Sequence, residues 1–165
     1  MNRLRTRTVT LLLIAASGWL AGCEGPNLEP RALPAQTSAE TFENFGDYEL
    51  HFNALKTDQL TPEVARTYGI QRSTNRVLLN VTILKKQPEN GSPTPVEGIV
   101  SVDAYNLSGQ LKNIGIRRVT EGTAVYYIGE VSIAGNEILV FDIRATPVGE
   151  SEAFTVRFRR EFFAG

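Results

Sequence analysis

From residue 45 to its end, the chain is built of short runs in which apolar and polar residues alternate, the pattern of strands with one buried face. In the first run, residues 48–53, three apolar side chains alternate with three polar ones: Tyr48, Leu50 and Phe52 with Glu49, His51 and Asn53. Turns rich in Gly, Pro and Asn separate seven such runs, at residues 48–53, 77–85, 96–105, 111–119, 123–133, 138–145 and 154–163. Seven strands at this spacing predict an all-β fold, an immunoglobulin-like antiparallel β-sandwich in preference to a small barrel.

Two of the runs carry more detail. Residues 77–85 are apolar almost throughout, which indicates a central strand covered on both faces. The last run places Phe154, Val156, Phe158 and Phe162 on one face and Arg157 and Arg159 on the other. We therefore expect the aromatic rings of this strand to pack in the core.

One short helix is predicted between the first two strands. Thr61 is a favourable N-cap, Pro62 suits the first helical position, and Glu63 complements the positive end of the helix dipole. Gly69 suits a left-handed C-terminal cap. With Val64, Ala65 and Tyr68 facing inward, we expect two turns that lie across an open end of the sandwich and close its core.

The N-terminus follows a different pattern. Three arginines within the first seven residues precede Val9–Leu20, an apolar run of 12 residues that is shorter than the roughly 18 needed to span a bilayer. Leu-Ala-Gly-Cys at positions 20–23 is typical of a bacterial lipoprotein signal peptide cut before Cys23. We predict acylation of Cys23, palmitate included, and anchoring at the periplasmic face of a membrane. Glu24 follows the cysteine, where an aspartate would resemble an inner-membrane retention signal, so the outer membrane is favoured.

Three segments follow from these patterns: a cleaved signal peptide at 1–22, a flexible tether at 23–41 and the sandwich domain at 42–165. The tether contains three prolines and no apolar period, which predicts an extended, disordered linker. Cys23 is the only cysteine, so the domain has no internal disulfide and depends on its hydrophobic core.

Charge excludes one class of partner. The signal peptide carries three of the 17 basic residues and none of the 18 acidic ones, which leaves the mature chain with a net charge of −4. A general nucleic-acid-binding protein would have an excess of basic residues. The sequence also lacks a Gly-x-Ser-x-Gly elbow, a phosphate-binding glycine loop and paired histidines on a helix, so we expect no enzyme activity and no cofactor.

The region from Phe45 onward resembles the periplasmic "domain of unknown function 4426" (DUF4426) proteins of proteobacteria. The resemblance rests on residues 45–54 (FGDYELHFNA), 60–65 (LTPEVA) and 68–70 (YGI), followed by Arg72, Arg76 and 79–81 (LNV). Weaker matches continue to residue 163. No activity is attached to this family, so the resemblance implies no catalytic residue. Many members of the family resemble freely secreted proteins. The predicted membrane tether is therefore an expectation for this chain and not for the family as a whole.

His51 is the only histidine and shares a strand face with Glu49 and Asn53. His and a carboxylate on one strand face would suit zinc, but a zinc site needs further ligands and there is no second histidine. We therefore predict no metal site. A solvated outer sheet face and a polar contact patch both remain open for these residues.

Arg72, Arg76 and Asn80 lie after the helix and at the start of the second strand. A guanidinium could bind a carboxylate or phosphate of a ligand through two hydrogen bonds. It could equally hold a connection in place, with Glu49 or Asp142 as the ion-pair partner. Both interpretations stay open at this stage.

These observations predict a lipid-anchored, non-enzymatic periplasmic module that contacts another envelope protein. The candidate contact surface combines both polar groups: Glu49, His51, Asn53, Arg72, Arg76 and Asn80. A small-ligand or ion-binding domain is the alternative. An envelope hydrolase is a weaker one, since it would require a serine within hydrogen-bond reach of His51.

Overall fold

The computed structural model describes residues 41–88 and 91–163. Its elements are β1 Thr41–Phe45, β2 Tyr48–Lys56, a 3-10 helix Thr57–Gln59, α1 Pro62–Thr67, β3 Arg76–Lys85, β4 Thr94–Pro95, β5 Gly98–Asn106, β6 Leu111–Lys112, β7 Arg117–Glu121, β8 Ala124–Ser132, β9 Glu137–Pro147 and β10 Phe154–Phe162. The predicted signal peptide, Cys23 and nearly all of the tether lie outside these residues. Within them, neither helix has the length and apolar character to cross a bilayer.

The strands form two antiparallel sheets. One has the order β1-β2-β3-β8-β7 with β4 paired to β3, and the other has the order β10-β9-β5-β6. Side chains that alternate along the strands of both sheets meet in one core, whose fully buried members include Leu50, Leu79, Ile83, Leu139, Phe141 and Ile143. The expected all-β sandwich is confirmed.

The number of strands differs from the prediction: the part of the chain described here has ten, not seven. β1 and β4 are short edge elements that the alternation did not single out, and β1 begins at Thr41, the last residue assigned to the tether. The run at 111–119 splits, because its start pairs with β5 and its end pairs with β8 in the other sheet. Ile114 and Ile116 pack against the core at this crossing.

Both ends of α1 follow the prediction. The Thr61 hydroxyl accepts a hydrogen bond from the Val64 amide at 3.2 Å, and Pro62 is the first helical residue. Gly69 has a φ of 63°, and the Ile70 amide donates to the Ala65 carbonyl at 2.8 Å. Local sequence therefore fixes this helix through an N-cap and a Schellman-type cap.

The position of α1 differs from the prediction. It does not close an end of the sandwich but lies on the outer face of the six-stranded sheet. There Ala65 and Ile70 pack against Leu78 and Ile128, whose side chains point away from the central core. The continuous apolar character of residues 77–85 accounts for this, because β3 is buried on both faces.

Candidate functional site

A pocket opens where α1 meets the outer face of the six-stranded sheet. We call it the outer-face pocket; its volume is about 340 Å³. Its lining is mostly apolar and includes no charged side chain: Asn53, Leu55, Leu60, Val64, Tyr68, Ile70, Leu78, Asn80, Val119, Tyr126 and Ile128. This volume lies at the lower end of the range for small-molecule pockets, which are also mostly apolar.

The segment of residues 57–73, which contains α1, lines one side of the pocket and is held to the sheet by polar contacts. The Tyr68 hydroxyl donates to Glu121 on β7, and Arg117 donates to the Tyr68 carbonyl. The hydrogen bond to Glu121, together with burial, raises the pKa of Tyr68. At the start of the segment, the fully buried Thr57 hydroxyl lies 2.9 Å from the Gln71 carbonyl and accepts from the Ser73 amide at 2.9 Å. The segment is therefore bonded to β7 at Tyr68, and its two ends are bonded to each other at Thr57.

Asn80 contributes a polar atom without a partner. Its Oδ1 is buried and accepts no hydrogen bond within the described part of the chain. A buried acceptor left without a donor costs about 1–3 kcal/mol. A ligand that donates a hydrogen bond to this oxygen would recover that free energy, and the acceptor lines a pocket large enough to hold one.

Asn53 lies beside Asn80, because the two residues are directly paired in the β2–β3 register. The Asn53 Oδ1 accepts a hydrogen bond from Arg160 Nη1 at 2.6 Å, and the same Nη1 donates to the Ala54 carbonyl. A guanidinium only donates, so the atom of Asn53 that faces Arg160 has to be the oxygen. This contact fixes the orientation of the Asn53 amide.

Arg160 is the site residue that sequence reasoning missed. It lies on β10 in the other sheet, between Phe158 and Phe162 on the buried face. Its guanidinium packs 5.2 Å from the Phe158 ring. It contacts β2 at residues 53 and 54, just after the part of β2 that is paired with β1. Burial lowers the pKa of Arg160. A charged residue in phase with buried aromatic residues was the signal available in the sequence.

Glu49 and His51 lie on the same strand face as Asn53 but do not line the outer-face pocket. His51 Nε2 is 2.9 Å from Glu49 Oε2, and the imidazole ring stacks on Phe42 of β1 at 5.0 Å. Their side chains are 18% and 19% exposed, so they are less solvated than one of the two interpretations assumed. No three His, Cys, Asp or Glu side chains come together within residues 41–88 and 91–163.

Arg72 and Arg76 each have a partner within the chain, and neither partner is one of those predicted. Arg72 donates to the Asp58 carbonyl at 2.8 Å, and Arg76 Nη1 lies 3.4 Å from Glu130 Oε2 on β8. The suggested partners Glu49 and Asp142 were wrong: Glu49 contacts His51 on its own strand, and Asp142 is paired across strands with Arg157. Of the six predicted contact residues, only Asn53 and Asn80 line the outer-face pocket.

Asp142 belongs to a network on the outer face of the four-stranded sheet. Arg157 donates two hydrogen bonds to its carboxylate, at 2.7 and 2.9 Å, and the Tyr105 hydroxyl donates a third at 3.0 Å. The hydrogen bonds from Arg157 lower the pKa of Asp142, and burial raises the pKa of Tyr105. All acceptors here are satisfied by the chain itself, in contrast to Asn80.

Comparisons with known proteins agree with this fold. The family model described as a domain of unknown function, DUF4426, matches residues 42–165. A solved DUF4426 family protein from Pseudomonas aeruginosa is 32% identical, with 76% of this chain and 96% of that chain covered and a TM-score of 0.64. Copper-bound FetP from uropathogenic Escherichia coli, solved as a variant, is 14% identical, with 75% and 95% covered and a TM-score of 0.52. No curated protein sequence matches the chain.

Proposed function

The chain belongs to the DUF4426 family, and on that premise we propose that it is a non-enzymatic binding module whose ligand enters the outer-face pocket. The observation that carries this proposal is the buried, unpartnered oxygen of Asn80 inside an apolar pocket. The geometry favours the small-ligand alternative over a protein contact surface, since only Asn53 and Asn80 of the six candidate residues lie together at a cavity.

The lining defines the ligand. A carboxylate or ammonium group would lose its hydration in this pocket without meeting an opposite charge, and that desolvation is costly. An apolar body would contact Leu55, Leu78 and Ile128 instead. We therefore propose a neutral ligand with an apolar body and at least one hydrogen-bond donor.

The sequence also leaves an ion open as the ligand of this domain. The copper of FetP belongs to that protein, and a likeness at 14% identity carries the fold alone. His51 has Glu49 and Phe42 as neighbours, and no third ligating side chain joins it in the described part of the chain. The proposal therefore does not include a metal.

Benzyl alcohol, with an aromatic body and one hydroxyl, is a suitable first probe. In a ¹H–¹⁵N NMR titration of the full-length protein, we expect saturable shifts that concentrate at residues lining the outer-face pocket. Val64→Trp should abolish them, because Val64 lies at the rim and is 37% exposed, so a larger ring can occupy the opening. The matched control is Val148→Trp at a position that is 72% exposed and away from the pocket.

Two outcomes would contradict the proposal. The first is a titration in which no lining residue shifts at any benzyl alcohol concentration. The second is binding that Val64→Trp and Val148→Trp reduce equally, which would place the probe elsewhere on the surface.

We also propose that Cys23 anchors this module to the periplasmic face of a bacterial membrane, preferably the outer one. The support is the sequence pattern at residues 3–23. Cys23→Ser should move the protein from the membrane fraction to the soluble fraction, and mass spectrometry of the wild-type protein should give an acylated N-terminal cysteine. An unmodified Cys23, or a retained leader, would rule the anchor out.

A further inference from the structure

Two side-chain oxygens within residues 41–88 and 91–163 are buried and lack a hydrogen-bond partner, Asp58 Oδ1 and Asn80 Oδ1. The second oxygen of Asp58 lies 3.7 Å from Lys56 Nζ, so that carboxylate already has an ion-pair partner. Asn80 has no such compensation, and it alone of the two lines the outer-face pocket. The unpartnered oxygen of Asn80 is therefore available to a ligand in the pocket.

A donor stands next to this acceptor. Since Asn53 turns its oxygen towards Arg160, its NH₂ group is left for another partner, and no acceptor within the described residues takes it. Asn53 and Asn80 are opposite each other on β2 and β3, yet the NH₂ of one does not bond the oxygen of the other. The NH₂ group of Asn53 and the oxygen of Asn80 thus lie on neighbouring strands at the same pocket.

From this pair we infer that the outer-face pocket recognises a neutral carboxamide with an apolar substituent. The N–H of the ligand donates to Asn80 Oδ1, and its carbonyl accepts from Asn53 Nδ2. The apolar substituent lies against Leu78, Tyr126 and Ile128. This inference rests on the proposed function and names the class of ligand for that site.

Arg160 acts as a positioning residue in this scheme. It touches Asn53 rather than the ligand, and through that contact it decides which end of the Asn53 amide is available. It is held in turn by the Ala54 carbonyl and the Phe158 ring. The polarity of the site is thus set by a residue from the opposite sheet.

The test compares three probes that share a phenyl ring on a carbonyl group: benzamide, methyl benzoate and benzoate. Benzamide carries a donor and an acceptor, methyl benzoate only acceptors, and benzoate a charge. By NMR titration of the full-length protein, benzamide should bind about tenfold more tightly than methyl benzoate, because a buried polar group left unpaired is penalised. Benzoate should be the weakest of the three.

Asn80→Leu, which keeps the shape of the side chain, should remove the preference for benzamide while methyl benzoate still binds. Thr82→Val is the matched control: Thr82 is a buried polar residue on the same face of β3 but does not line the pocket. This variant should keep the preference. If Asn80→Leu fails to fold, the three affinities of the wild-type protein decide the question.

The outcomes separate the two proposals. Equal affinities for benzamide and methyl benzoate, with shifts at the pocket, would overturn the carboxamide inference and the requirement for a donor on the ligand, and would leave the pocket as a binding site for apolar molecules. Tightest binding of benzoate would overturn it as well, since the ligand would then be anionic. Absence of shifts at the pocket with every probe would refute the proposed function and the inference together.

Discussion

Replacing Phe141 with alanine is expected to lower the free energy of unfolding by about 3–5 kcal/mol, the range for large core residues truncated to alanine. Phe141 lies in β9, its side chain is fully buried, and its ring stacks on Phe158 of β10 at 5.8 Å. Phe158 in turn contacts Phe52 of β2 at 5.2 Å, so this row of rings joins the two sheets. Urea denaturation followed by circular dichroism would measure the loss.

Phe163→Ala is the control for this prediction. It removes the same ring from a position that is 57% exposed, and its effect should stay within about 0.5 kcal/mol. A similar loss for both variants would mean that Phe141 does not lie at the centre of the core.

The second large effect is expected for Gly98→Ala, with a loss of about 2–4 kcal/mol from overpacking and broken hydrogen bonds. A Cβ at this position would lie 2.5 Å from the Thr146 carbonyl oxygen and 2.7 Å from Ile83 Cδ1. The Thr146 atom belongs to the backbone of the paired strand β9, so it cannot move aside without shifting the sheet.

Gly98 also links the two sheets. Its amide donates to the Tyr127 hydroxyl at 2.7 Å, and the same hydroxyl donates to the Gly98 carbonyl at 2.9 Å. A shift of this strand would strain both bonds. Thermal and urea unfolding should agree on the direction of the change.

Gly115→Ala provides the matched control, because a Cβ there would meet no atom within 4 Å and the residue does not have a positive φ. We expect a change of no more than about 1 kcal/mol, in either direction. If Gly98→Ala and Gly115→Ala lowered the free energy of unfolding equally, the loss at Gly98 could not be attributed to close packing, and the prediction would be contradicted.

Local features of the fold were accessible from the sequence. The caps of α1 depend on Thr61, Pro62 and Gly69 alone, and they were predicted correctly. Strand alternation depends on neighbouring residues and predicted the long strands, but not the short edge strands β1 and β4. The location of α1 depends on which strands it packs against, and the alternation of apolar and polar residues does not specify those strands. The separation of β6 from β7 likewise depends on which sheet each half of one run joins.

The candidate site was predictable in part. Asn53 and Asn80 were both singled out from their strand positions, but their adjacency follows from the β2–β3 register, which the sequence does not specify. Arg160 could be found only by noticing a charge in phase with Phe158 and Phe162. Its contact with Asn53 further requires that the β10 edge lie beside β2, a long-range property of the sandwich.

The central claim is that the outer-face pocket binds a ligand through its apolar floor and Asn80. Intermolecular nuclear Overhauser effects between benzamide and the full-length protein test it most directly. We predict contacts from the aromatic protons to the methyl groups of Leu78 and Ile128, with the amide protons close to the Asn80 side chain. Contacts confined to exposed apolar residues such as Ile99 or Leu111, or none at all, would contradict the account.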